Sequence, residues 1–247
     1  ALLKIDALGL AGWQWMFLLE GLPAVLLGFV VWRTLLDRPA DARWLDDRER
    51  AWLEREFAAE RAQFAHAGHH ELGAAIRDLR VWMLGAVYFC IVVGLYALGF
   101  WLPQILKSLG SLSNAQTGFV AIVPYAAAAL AMIAWGRHSD RTGERRWHVI
   151  VPAIVGAAGM VVCAQPGLPA VASLAALAIA AVGIYAAVPP FWTLPPKILT
   201  GTAAAAGIAL VNSIGNVGGF VGPTLLGYAK EATGGYAAGF AMLAGLL

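Results

Sequence analysis

The sequence predicts an all-α integral membrane protein, and three observations carry that prediction. Apolar residues make up 60% of the 247 and charged residues only 13%, where soluble domains average about 45–50% and about 25%. The charges are segregated, most lying between Asp37 and Arg80 or between Arg137 and Arg146. The apolar stretches between them run to roughly 20 residues, enough for a helix to cross a hydrocarbon core of about 30 Å. Mean hydropathy is +0.70. The net charge of +2 gives no reason to expect nucleic acid, because the basic residues sit in loops and are interleaved with acids.

Taken in order, six full spans and the start of a seventh are expected at 14–36, 81–106, 116–136, 148–165, 169–192, 203–228 and 236 onward. The first run has no basic segment before it and follows Ala1 rather than an initiator Met, so it does not read as a signal peptide. The last run stops at Leu247 barely begun; both ends are expected to be cut. Lys4, Lys107 and Lys230 stand alone on one side. The Arg-rich 37–80 segment, the 137–146 loop and Lys197 lie on the other, which the positive-inside bias makes cytoplasmic. Trp13 and Trp15 fit an outer aromatic belt, and Trp32 and Arg33 an inner one.

Within 37–80, Asp46 and Glu49 have the spacing of an N-cap and its capping-box partner. The run that follows offers Trp52, Leu53, Phe57 and Phe64 as an apolar stripe. A charged linker helix along the inner membrane surface is expected. His66, His69 and His70 beside Gly68 lack the Cys or carboxylate that would frame a metal site, so a loop is expected and no metal or cofactor. Cys90 and Cys163 lie in separate apolar spans without metal or redox spacing and read as small packing residues.

The most specific stretch is Gly136-Arg137-His138-Ser139-Asp140-Arg141-Thr142-Gly143-Glu144-Arg145-Arg146. Gly143 suits a tight turn at positive φ. Asp140 is acidic in an Arg-rich loop, so topology alone does not explain it. An Asp there can cap a neighbouring helix or pair with a loop Arg and latch one closed arrangement. Arg145 and Arg146 also serve as ordinary inside anchors.

This loop resembles the G-x-x-x-D-R-x-G-R-R signature of major facilitator transporters, in its second-half copy. Three further stretches resemble the anion:cation symporter branch of that superfamily, with tartrate- and phthalate-type permeases as the nearest pattern. They are Gly12-Trp13-Gln14-Trp15-Met16-Phe17 with Glu20-Gly21-Leu22-Pro23, then Gly94 to Gln104, and Gly207 to Asn216 with Gly218 to Pro223. The resemblance implies a twelve-span fold of which this chain runs from the sixth span into the twelfth. Residues 1–36 would be a periplasmic segment and the last span of the N-terminal bundle, 37–80 the cytoplasmic central loop, and 81–247 the C-terminal six-helix bundle, truncated in its last span. Gly136, Asp140, Arg141, Gly143 and Arg145 would form the conformational latch.

Polar groups inside the spans are few. Glu20 lies about five residues past the Trp belt, or roughly 8 Å deeper; it is either a proton-coupling carboxylate or a structural partner, the latter favoured because Gly21 and Pro23 predict an irregular helix. Asn212 and Asn216 are four apart and share a face, which Gly219 and Pro223 continue. They can hold a carboxylate or act as helix glue, and the resemblance raises the first reading because this span faces the cavity in the family. Tyr185, Pro189 and Trp192 share a face of the span at 169–192, where Pro189-Pro190 and Pro195-Pro196 are expected to interrupt the helix and line an inner mouth. Trp192 is either a cavity aromatic or belt. Tyr96 and Phe100 are candidate pocket wall or aromatic core.

The expectation is therefore a secondary transporter in the inner membrane, carrying a small organic anion with protons by alternating access. Its partners would be the lipid bilayer and a missing N-terminal half. An efflux member of the same superfamily is the alternative. A membrane-embedded enzyme is disfavoured because no span carries a catalytic constellation.

Overall fold

Proline, glycine and short polar caps divide the chain into helices. The computed structural model describes residues 8–42, 44–64, 71–199 and 203–247, and His66, His69 and His70 lie outside them. The chain falls into two compact units, Ala1–His66 and Ala67–Leu247.

The first unit holds α1 (Gly12–Thr34) and α2 (Asp47–Phe64), with a turn of 3-10 helix at Pro39–Asp41 between them. α1 is long and apolar enough to cross a membrane and buries none of its residues within its unit. It runs without a break through Gly21 and Pro23, so the irregular helix expected there is not formed. A single proline deletes one N–H···O bond, and the remaining bonds of a 23-residue helix hold it. α2 starts on the predicted capping box: Asp46 Oδ1 accepts the Glu49 N–H at 2.7 Å and Glu49 Oε2 accepts the Asp46 N–H at 3.1 Å. Trp52 on it is exposed.

The second unit is built from α3 (Glu71–Arg77), α4 (Leu79–Ser108), α5 (Asn114–Thr142), α6 (Arg146–Cys163), α7 (Ala170–Trp192), the one-turn α8 (Pro195–Ile198), α9 (Ala203–Thr233) and α10 (Ala237–Leu246). α4, α5, α6, the α7–α8 stretch and α9 join α1 as the six helices of membrane-crossing length and apolarity among the described residues. Asp78 caps α4 by accepting the Arg80 N–H at 2.8 Å. Ser113 and Gln116 form a second capping box at the start of α5.

One helix end and one proline break differ from expectation. α5 continues six residues past 136, to Thr142, so the signature is mostly helical and only residues 143–145 turn. Arg137, His138, Asp140 and Arg141 of this extension are exposed while Ser139 is buried, and the helix persists on its own backbone bonds. α7 likewise runs through Pro189 and Pro190, and the break comes only at Thr193 and Leu194. Adjacent prolines fit one helical turn because the residue before each need only tolerate a helical ψ while packed neighbours hold it.

α4 lies along α9, α7 lies between α5 and α6, and α10 packs on α9 and α6. Lipid tails are as apolar as leucine, so close packing rather than the hydrophobic effect holds such helices together. Small residues provide it. A Cβ on Gly218 would stand 2.7 Å from the Phe89 carbonyl oxygen, and one on Gly222 would collide with the Val93 carbonyl. Across the other seam a Cβ on Gly159 would meet the Ala180 nitrogen at 2.5 Å, and one on Gly183 would strike the Gly156 backbone. Ile91, Val93, Met160, Leu177, Ile184, Phe191, Val211 and Leu226 fill the space left around these contacts, each under 3% exposed.

Candidate functional site

α9 positions the two amides. Its spacing puts Asn212 and Asn216 one turn apart, both exposed within the second unit. Asn216 Nδ2 donates to the Asn212 carbonyl at 2.9 Å and to Asn212 Oδ1 at 3.2 Å. The pair is thus ordered: Asn216 spends its donors holding Asn212. The Asn212 amide then has Oδ1 occupied and its own Nδ2 donors unspent among the described residues.

Aromatic rings close in around this face. Gly219 continues it and lets the Tyr96 ring approach, since a Cβ there would touch that ring at 3.4 Å. Gly215 makes room for the Tyr88 ring. Tyr185 lies edge-on to Tyr125, centroids 6.2 Å apart. The structure therefore sets Tyr96 beside the α9 amide face and pairs Tyr185 with Tyr125. Trp192 is a step removed: half-buried, it stacks edge-on against Tyr88 at 4.8 Å and Phe191 at 5.5 Å, and reaches α9 only through Tyr88. Tyr88 and Tyr125 are additions that the sequence did not single out. Tyr88 precedes Tyr96 by eight residues and lies on the same flank of α4, which is the signal that was available.

At the Arg-rich end the signature folds into a hydrogen-bonded knot. Gly143 takes φ 69° as the C-cap of α5, and its N–H returns to the Ser139 carbonyl at 3.0 Å. Arg145 Nη1 donates to Asp140 Oδ1 and to Ser139 Oγ, each at 2.8 Å. Ser139 is fully buried and its hydroxyl donates to the Glu144 carbonyl at 2.8 Å. Asp140, Gly143 and Arg145 are thus brought together. Gly136 instead lies on α5 against Pro189 at ordinary contact distance, and Arg141 makes no ion pair among the described residues.

Glu144 was not singled out from the sequence. Its carboxylate accepts the Trp147 N–H at 3.0 Å and pairs with His148 Nδ1 at 2.9 Å. Partial desolvation raises this carboxyl, but the bonds from Trp147, the His148 ring and the Arg146 and His148 backbone outweigh it and hold it below its ordinary range. Glu20, exposed on α1, has no hydrogen bond or ion pair among the described residues. No group of three or more His, Cys, Asp or Glu among the described residues is placed to hold a metal.

Residues 6–223 match the Major Facilitator Superfamily. The chain belongs to that family. It is 50% identical over 240 residues to a protein of Agrobacterium vitis named "Putative tartrate transporter", covering 97% of this chain and 55% of the relative. It is 39% identical to a quinolone resistance transporter of Acinetobacter baumannii, covering 98% and 56%. It is also 39% identical to the inner membrane transport protein RhmT of Escherichia coli K12, covering 99% and 56%. The chain spans about half the length of the curated relatives it matches. As a major facilitator chain with six membrane-length helices it is a multi-pass inner-membrane protein and no enzyme. Within this superfamily chain, the knot at 136–145 and the amide face of α9 are constellations with chemistry to offer.

Proposed function

We propose that this chain forms the second half of a carrier for a small organic anion, co-transported with protons by alternating access against a first six-span half. The observation that carries the proposal is the ordered Asn212–Asn216 pair, exposed on a face of α9 that Gly215 and Gly219 keep clear for aromatic rings. Neutral amide donors at membrane depth bind a carboxylate without the cost of a buried cation. A name given for tartrate transport to a relative 50% identical over nearly the whole chain supports the same substrate class. The Asp140–Arg145 knot, on the side that Lys/Arg bias assigns to the cytoplasm, acts as the latch of one closed state.

Cells lacking their own dicarboxylate uptake and expressing the intact carrier should accumulate labelled tartrate or an aromatic carboxylate saturably, and a protonophore should abolish it. The quinolone-named relative motivates the opposite direction. No uptake, together with reduced drug accumulation on expression, would replace the symport reading with efflux.

A further inference from the structure

His138 and His148 meet across the junction of α5 and α6, with His138 Nδ1 and His148 Nε2 only 2.7 Å apart. The other His148 nitrogen, Nδ1, lies 2.9 Å from Glu144 Oε2, and His148 is buried. A carboxylate accepts, so Nδ1 of His148 carries a proton and its Nε2 is the atom facing His138. The gap between the two rings has room for one hydrogen. His138 is stacked on Trp135, centroids 5.8 Å apart and planes at 23°. Trp135 itself donates from Nε1 to the His148 carbonyl at 2.9 Å.

This contact has a structural job. Away from the junction α5 and α6 are held apart by an apolar cleft of about 370 Å³ floored by α7, with Trp135 and His138 on its wall. The histidine pair and the Trp135 bond therefore tie the start of α6 to the end of α5. We propose that His138 and His148 form a one-proton site at the cytoplasmic end of these helices, and that loading a second proton opens the junction and slows the carrier.

The proton count gives the sign. With both rings otherwise neutral, His138 donates its Nδ1–H to His148. One added proton, on either ring, keeps a single hydrogen in the gap and makes the bond charge-assisted. A second added proton sets N–H against N–H between two cations whose centroids are 5.0 Å apart, and the bond is lost. The closed junction thus binds one proton on the pair where the open junction binds two. Stability of the closed form falls as pH falls, by up to tenfold in the closed-to-open ratio per pH unit.

The surrounding charges are few. α5 adds Arg137, Asp140 and Arg141, and the junction adds Glu144, Arg145 and Arg146. Against α6, α7 brings no charged side chain and only Tyr185 as an ionisable one, and α10 brings none beyond Tyr236 at its far end. Against α5, α4 has Arg80 at this end and Lys107 at the other, with Tyr88, Cys90 and Tyr96 between.

The proposal rests on the transport reading for its rate arm alone. The test compares the intact carrier with its His138→Phe variant, which keeps a ring on Trp135 but has no nitrogen; His138 is exposed, so the variant should fold. Thermal midpoints of the purified proteins are measured between about pH 5 and 8, where histidine pairs change charge. The unmodified carrier should lose stability on acidification more steeply than the variant, and superimposable profiles overturn the proton site. Carboxylate transport in vesicles is then followed with only the cytoplasm-facing pH varied. The rate should fall on acidification more steeply in the carrier than in the variant, whose own decline reflects only the shrinking proton gradient; equal rate profiles overturn the regulatory half. If neither protein transports a carboxylate, the transport reading fails and the stability profiles still decide the site.

Discussion

Replacing Asn212 by alanine removes two amide donors that nothing else among the described residues uses, and the consequences can be worked from the geometry. Asn216 Nδ2 is already committed to the Asn212 carbonyl and Oδ1 at 2.9 and 3.2 Å. Only Asn212 Nδ2 is therefore free to meet a substrate carboxylate. A hydrogen bond to a charged group contributes about 1.5–3 kcal/mol, so Asn212→Ala should weaken substrate binding roughly ten- to a hundredfold. Asn216→Ala removes a positioning contact between neutral groups, worth about 0.5–1.5 kcal/mol, and should weaken binding about two- to tenfold. Both side chains are exposed in their bundle, so stability should stay within about 0.5 kcal/mol of the parent. Titration calorimetry and thermal midpoints on the purified intact carrier measure both quantities. Unchanged affinity with lost stability in both variants would make the pair helix glue and end the pocket assignment. A larger binding loss in Asn216→Ala than in Asn212→Ala would reverse the proposed division of roles.

Two further outcomes follow from the packing and the knot. Asp140→Asn keeps size and removes charge from the 2.8 Å contact with Arg145. Because Asp140 is 69% exposed, stability should change by at most about 1 kcal/mol, whereas vesicle turnover should drop with substrate Kd retained; unchanged turnover leaves Asp140 a helix-end charge. Gly183→Ala drives a Cβ into the Gly156 backbone, so it should exceed the usual overpacking cost of about 1–3 kcal/mol and abolish the monodisperse peak of the carrier on size exclusion. Gly118→Ala, which meets nothing within 4 Å, is the control and should elute like the parent.

The spans were legible because a 20-residue apolar run has one stable solution in a bilayer, a helix with its own backbone bonds. The capping box at Asp46 and Glu49 was legible for a similar reason, since it is written in residues three apart. The helix end at Thr142 was not. Hydropathy marks where the membrane stops, and the backbone of α5 continues into water on the strength of its own bonds. The Pro189-Pro190 pair misled in the opposite sense, because the packing of α7 between α5 and α6 outweighs two missing donors. In the candidate site, the amide stripe of α9 could be read from spacing, and Tyr96 lies against its Gly219. The relation between Asn212 and Asn216 could not be read, because the direction of a side-chain hydrogen bond is not encoded in a four-residue interval. The pairing of His138 with His148 escaped notice because the first lies inside, and the second just past, a strong motif that accounted for the loop. Glu144 at four residues before His148 was the available clue.

The glycine seams bear on how a mutational map of this protein would look. Gly159, Gly183, Gly218 and Gly222 admit no side chain because backbone stands where a Cβ would go, while a Cβ on Gly156 would come no nearer than 3.2 Å to the Ile184 side chain and backbone nitrogen. A saturation scan selecting for growth would therefore paint two lines of intolerance, one along the α6–α7 contact and one along α9, on positions other than the α9 amides and indifferent to which nutrient is supplied. Tolerance would not be symmetric even between the touching partners Gly156 and Gly183. Repeating such a scan on two different carbon sources separates the classes: seam positions stay intolerant under both, and only positions that recognise a nutrient change their ranking.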